Sequence, residues 1–112
     1  VSLRALTGGA VETNPIAADR VIDGAPVETT KLEYERDGKT YVGEWSASVG
    51  AWRVKYEEWE YCLMLEGICE LVADGGAPQR FNVGDSFVIE PGFAGVWRVI
   101  APMKKRFVIR FD

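Results

Sequence analysis

Three side chains between residues 54 and 62 are equipped for chemistry: the phenol of Tyr56, the carboxylate of Glu60 and the thiol of Cys62. Strand parity puts Glu60, Cys62 and Met64 on one face and Tyr61, Leu63 and Leu65 on the other. A carboxylate can serve as general acid or base, and a thiol becomes a nucleophile once a basic neighbour lowers its pKa. The usual neighbour is missing, because the 112 residues contain no histidine. That excludes Ser-His-Asp and Cys-His catalysis and every histidine-bearing zinc or iron site. Cys62 and Cys69 therefore read as buried apolar thiols. If Glu66-Gly67 is a tight hairpin turn, Cys62 faces Leu71 and Cys69 faces Met64, a diagonal arrangement unsuited to a disulfide.

Charge narrows the partners. Thirteen Lys and Arg against seventeen Asp and Glu leave −4, the wrong sign for a nucleic-acid binder. The short basic run Lys104-Lys105-Arg106 reads as a solvated face or rim rather than an anion site. No stretch approaches the roughly 18 apolar residues that span a bilayer, so no membrane contact is expected. Two cysteines are too few for a disulfide-stapled secreted domain, and a cytoplasmic protein is expected.

These side chains need strands to position them. Residues 1–28, with Gly8, Gly9, Pro15, Gly24 and Pro26, show little periodicity and read as an irregular arm with at most one short strand. Residues 29–112 read as a single β domain. Lys31 to Glu35 alternates with period two, Asp37-Gly38 is a hairpin turn, and Tyr41 to Ser46 returns. Trp52 to Tyr56, Glu60 to Leu65, Ile68 to Val72, Phe87 to Ile89, Val96 to Ile100 and Arg106 to Arg110 follow, punctuated by Asp74-Gly75-Gly76 and Val83-Gly84-Asp85. Strands at this spacing indicate an all-β sandwich or barrel.

Two stretches add a resemblance. Glu60 and Gly67 have E-x6-G spacing, and Val54-Lys55-Tyr56 lies where H-x-H would stand before such a Glu. Gly84 to Gly95 follows G-x5-P-x-G-x2-H, with Glu90 at the proline and Gly95 at the histidine. These resemble the two motifs of the cupin superfamily, a small jelly-roll β-barrel of two antiparallel sheets. Gly43-Glu44-Trp45, Trp52 to Tyr56, Leu65-Glu66-Gly67, Pro91 to Trp97 and Lys104 to Ile109 resemble its ureidoglycine aminohydrolase-like branch. The resemblance covers roughly residues 40–110.

It implies a metal centre of three His and one Glu facing the barrel interior. Only Glu60 matches; the other positions hold Val54, Tyr56 and Gly95. A lone carboxylate is a weak cation site, so neither a metal nor another cofactor is expected. Trp97 shares parity with Gly95, and its indole with Tyr56 is expected to fill the metal's space, as core packing or as a ligand-stacking wall. The expected pocket comprises Val54, Tyr56, Glu60, Cys62, Gly95 and Trp97, with Glu60 and Tyr56 as catalytic candidates.

Two readings stand. One is a metal-independent barrel that binds a small molecule, with weak amidohydrolase, lyase or isomerase chemistry as an extension. The alternative is a non-catalytic dimeric structural or accessory module, its barrel plugged by Trp97, Tyr56 and Met64. A metal-dependent ureidoglycine aminohydrolase-type enzyme is the third. A homodimer is expected in any case, because Tyr61 to Leu65 is apolar on both faces and a single barrel covers only one.

Overall fold

Asp37 and Gly38 both adopt positive φ, 56° and 65°, at the centre of a tight hairpin turn in which the Lys39 N–H donates to the Arg36 carbonyl at 2.9 Å. The hairpin lies within a computed structural model that describes residues 2–112 and contains, among them, nine strands and no helix. The strands are β1 (Ala10–Pro15), β2 (Val21–Gly24), β3 (Val27–Arg36), β4 (Thr40–Ala47), β5 (Gly50–Lys55), β6 (Trp59–Ala73), β7 (Gln79–Phe81), β8 (Ser86–Ile89) and β9 (Ala94–Arg110). Every pairing is antiparallel.

β6 and β9 form the spine. They pair along nearly their whole lengths, and each has its other edge shared by two shorter strands. β9 gives its first half to β5 and its second half to β4. β6 gives its first half to β8 and its second to β7. The two halves so defined are β1-β3-β4-β9-β6-β8 and β2-β5-β9-β6-β7. They curl to face each other, since Trp45 of the first half packs 6.0 Å from Trp52 and 5.7 Å from Trp97 of the second. The result is the all-β architecture that the strand pattern predicts, curled into the jelly roll that the resemblance implies.

The bend lies where the sequence predicts a turn. Instead of a Glu66-Gly67 hairpin, β6 runs on unbroken and absorbs register shifts against β9 between Met64 and Cys69. A positive-φ glycine serves a bulge as well as a turn, and β9 offers a partner long enough to keep β6 extended. Gly67 has φ 81°, and a Cβ there would run into the backbone of Pro102 and Met103. Cys62 and Cys69 are accordingly on one strand, not on opposite arms of a hairpin. Both are free thiols, and Cys69 Sγ lies 3.8 Å from Met64 Sδ.

Residues 10–24 hold two strands where at most one is expected. β1 adds to the edge of β3 and β2 to the edge of β5. Every β1 residue is exposed, so no buried face imprints a period on its sequence.

The close approach at Gly67 is testable against Gly75, which shares a positive φ of 75° but has open space around it. Gly75→Ala should cost about 1 kcal/mol from its left-handed backbone alone. Gly67→Ala should cost about 2–3 kcal/mol more through overpacking. Urea unfolding of both variants measures the difference, and equal costs would refute the close-packed bulge.

Candidate functional site

The inward faces of both halves border an open-mouthed cavity of about 300 Å³, at the small end of ligand pockets. β4, β5 and β9 supply Trp45, Trp52 and Trp97; β6 supplies Glu60; β9 adds Lys105, Phe107 and Ile109. Of the residues expected to form the pocket, Val54, Tyr56, Glu60 and Trp97 line it. Cys62 and Gly95 are buried but are not among its lining residues.

The principal surprise is Lys105. Within a basic run it reads as solvated, yet it is 4 % exposed, and Glu60 is 2 % exposed. Lys105 Nζ donates to Glu60 Oε2 at 2.7 Å. It also lies 3.6 Å from Cys62 Sγ and 4.7 Å from the ring centroids of both Trp45 and Trp97. One ammonium is thus held by a carboxylate and the faces of two indoles. The sequence contains the signal: Met103, Lys105 and Phe107 alternate along β9 and all three are buried. Lys104 and Arg106 keep the expected surface role, pairing with Glu66 at 3.4 Å and Glu33 at 2.8 Å.

Electrostatics fix the protonation of the cluster. Burial pulls the Lys105 ammonium down, but the neighbouring Glu60 carboxylate outweighs it and holds the group above the ordinary lysine value. Burial raises the Tyr56 phenol well above its usual range, with Lys105 opposing and Glu60 reinforcing. Burial also pushes both Cys62 and Cys69 up to about 12. At neutral pH the site therefore presents an ammonium, a neutral phenol and neutral thiols. It has neither an amine nor a thiolate nucleophile.

Trp97 Nε1 donates to Tyr56 Oη at 3.0 Å, and Trp45 Nε1 donates to Glu28 Oε1 at 3.0 Å. The buried Trp97 and the partly buried Trp45 thus each have their single donor satisfied, which sets their planes. Arg20 and Lys55 are the exposed cations of the lining, beside the partly buried carboxylates Glu28 and Glu58.

The donor set does not fit a centre of three His and one Glu. Val54 has no donor atom. A Cβ at position 95 would collide with the Val72 carbonyl, so that position holds no side chain at all. The phenol at position 56 keeps its proton, and an ammonium already occupies the Glu60 carboxylate. Among the described residues, no group of three or more His, Cys, Asp or Glu converges.

Lys105→Met should leave a buried carboxylate unpaired and cost about 3–5 kcal/mol in urea unfolding. Adding Glu60→Gln to that variant should recover more than half of the loss; no recovery would show that the pair is not the source. The thiols make a pH prediction. Their folded pKa near 12 exceeds the unfolded value of about 8.5, so the stability they contribute is complete below about pH 8.5 and is lost as pH rises towards 12. Accordingly, Ellman's reagent at pH 8 should titrate Cys62 and Cys69 only after unfolding. Rapid reaction of the native protein would contradict their burial.

Comparison with known proteins agrees with this architecture. No curated protein matches the chain. Among solved structures, the EutQ protein of Clostridium difficile superposes with a TM-score of 0.68 at 15 % identity, over 76 % of this chain and 63 % of that one. A protein with unknown function from Pseudomonas syringae pv. tomato gives 0.77 at 18 % identity, over 96 % of this chain and 45 % of that one. A putative ethanolamine utilization protein Q from Salmonella typhimurium gives 0.66 at 18 % identity, over 78 % and 70 %. The chain thus spans less than two thirds of the first two structures, and at these identities the likeness concerns the fold. Residues 34–107 match the model of the EutQ-like cupin domain, and on that match the chain belongs to the EutQ-like cupin domain family.

Proposed function

We propose that this cupin domain binds a small organic molecule in its barrel without the help of a metal. The supporting observation is the cavity itself, whose wall includes Tyr56, Trp97 and the Glu60–Lys105 pair. Three indoles supply apolar area, and the buried polar groups supply orientation, the usual division of labour in a ligand site. Catalysis is the weaker extension. Glu60 is engaged by an ammonium and Tyr56 holds its proton, so both are better placed to orient a ligand than to remove a proton from one.

A thermal-shift screen of small acids, amides, ureides and sugars tests this reading, with tryptophan fluorescence as a second readout. A ligand at 100 times its Kd stabilises the fold by roughly 2.7 kcal/mol, a shift of several degrees for a domain this small. At least one compound should do so, and the effect should weaken in Trp97→Phe. A barrel that binds none of them would favour the accessory-module reading. Manganese, iron, nickel or zinc should move the midpoint by no more than about a degree, because a single carboxylate already paired to lysine binds a cation weakly. A stoichiometric metal that survives dialysis and is lost in Glu60→Gln would overturn metal independence.

A second copy of the chain is the partner we propose for the outer face. Register places Tyr34, Val42, Val108, Tyr61 and Val88 in one row across β3, β4, β9, β6 and β8, pointing away from the cavity. Val88 is 45 % exposed, and the other four are partly buried. Arg4 covers the Tyr34 ring at 5.4 Å, so the row left free crosses four strands, about 14 Å at 4.8 Å per strand, and is the surface for its own two-fold copy. Sedimentation at micromolar concentration should give twice the 12.4 kDa chain mass, and Val108→Lys should return it to the monomer. A wild-type monomer would refute the pairing.

A further inference from the structure

We infer that the Lys105 ammonium is the resident cation of this barrel, and that it acts with the Tyr56 hydroxyl to hold an uncharged carbonyl oxygen of the ligand. This deepens the binding reading above and rests on it. Glu60 is the one residue matching a family metal ligand. Its carboxylate faces a cation that the chain itself supplies from β9, on the strand adjacent to β6. The fixed cation and the missing donors belong together: with no side chain at Gly95 and none capable at Val54, a buried Glu60 needs another positive partner.

An ammonium has three donors. Glu60 Oε2 takes one at 2.7 Å, and Cys62 Sγ, a weak acceptor, lies at 3.6 Å. No other hydrogen bond from Nζ is made among the described residues, and Lys105 lines the cavity. Tyr56 is similar. Its oxygen accepts the Trp97 N–H, while its own O–H donates to no described side chain and Tyr56 lines the same cavity. The Lys105 N–H that no oxygen accepts, which faces the two indoles, and the Tyr56 O–H border one small volume and make a site for an oxygen acceptor.

Charge decides which acceptor. Glu60 already neutralises Lys105, so a ligand carboxylate would set two buried anions against one ammonium and lose more hydration than it regains. A neutral amide or ketone oxygen offers the same lone pairs without that penalty. The lining as a whole is balanced, with Arg20, Lys55 and Lys105 against Glu28, Glu58 and Glu60. Trp52, which lines the cavity without contacting the ammonium, leaves an apolar wall for the body of such a molecule.

The test compares propionamide with propionate, near-isosteres that differ in charge, at matched ionic strength. The readout is the indole N–H signals of the four tryptophans in 15N-labelled protein. Propionamide should shift the Trp97 signal saturably, and propionate should be at least tenfold weaker. Tyr56→Phe should weaken the amide several-fold, and the neutral double variant Lys105→Met/Glu60→Gln at least tenfold while staying folded. Propionate binding as tightly as propionamide would overturn the inference, as would an unchanged affinity in the double variant. If neither probe binds while other screened compounds do, the carbonyl assignment fails and the binding reading survives. If nothing in the screen binds, both fall.

Discussion

The arrangement of the interior depends on one ion pair. Placing Lys105 and Glu60 out of water costs several kcal/mol per ion, which their 2.7 Å contact offsets only because each finds further partners. For Lys105 these are the faces of Trp45 and Trp97 and the sulfur of Cys62. The indoles in turn are held by their own donors, one on Glu28 and one on Tyr56. The pair therefore determines where the aromatic wall stands. Without it the same face would carry an unpaired charge, and the barrel would have to open to hydrate it.

The backbone makes this geometry available. β6 and β9 bring Glu60 and Lys105 to one inward face because both residues fall on the buried parity of paired strands. The bulge between Met64 and Cys69 bends β6, letting one continuous sheet present two facing halves. Residues without a Cβ permit the closest approaches: Gly43 beneath Lys31 and Phe107, Gly67 against Pro102, and Gly95 against Val72. Gly95 thus has a packing role where the resemblance implies a ligand position. The absence of a histidine there follows from local space as well as from composition.

Strand identity was largely legible because most strands bury one face and so carry a period of two. The Asp37-Gly38 hairpin and the turns at residues 74–76 and 83–84 were legible from residues that tolerate positive φ or favour turns. At Glu66-Gly67 local chemistry does not separate a hairpin from a bulge, because the deciding partner lies 35 residues away at Pro102. β1 was hidden because both of its faces are exposed. Lys105 is hidden in the sequence because Lys104-Lys105-Arg106 forms one basic run along the chain, whereas a strand separates that triplet onto two faces. Val54, Tyr56, Glu60 and Trp97 could be anticipated as a cluster; the cation that completes it required the register of β6 with β9.

15N-detected NMR of lysine side chains observes the Lys105 ammonium directly. Of the five lysines, Lys31, Lys39, Lys55 and Lys104 are partly or largely exposed, and their ammonium protons should exchange with water too fast to follow at neutral pH. Lys105 should give a single slowly exchanging ammonium signal, moved upfield by the two indole faces and lost in Lys105→Met. Five lysines in uniformly fast exchange, with no ring-shifted ammonium, would contradict the account.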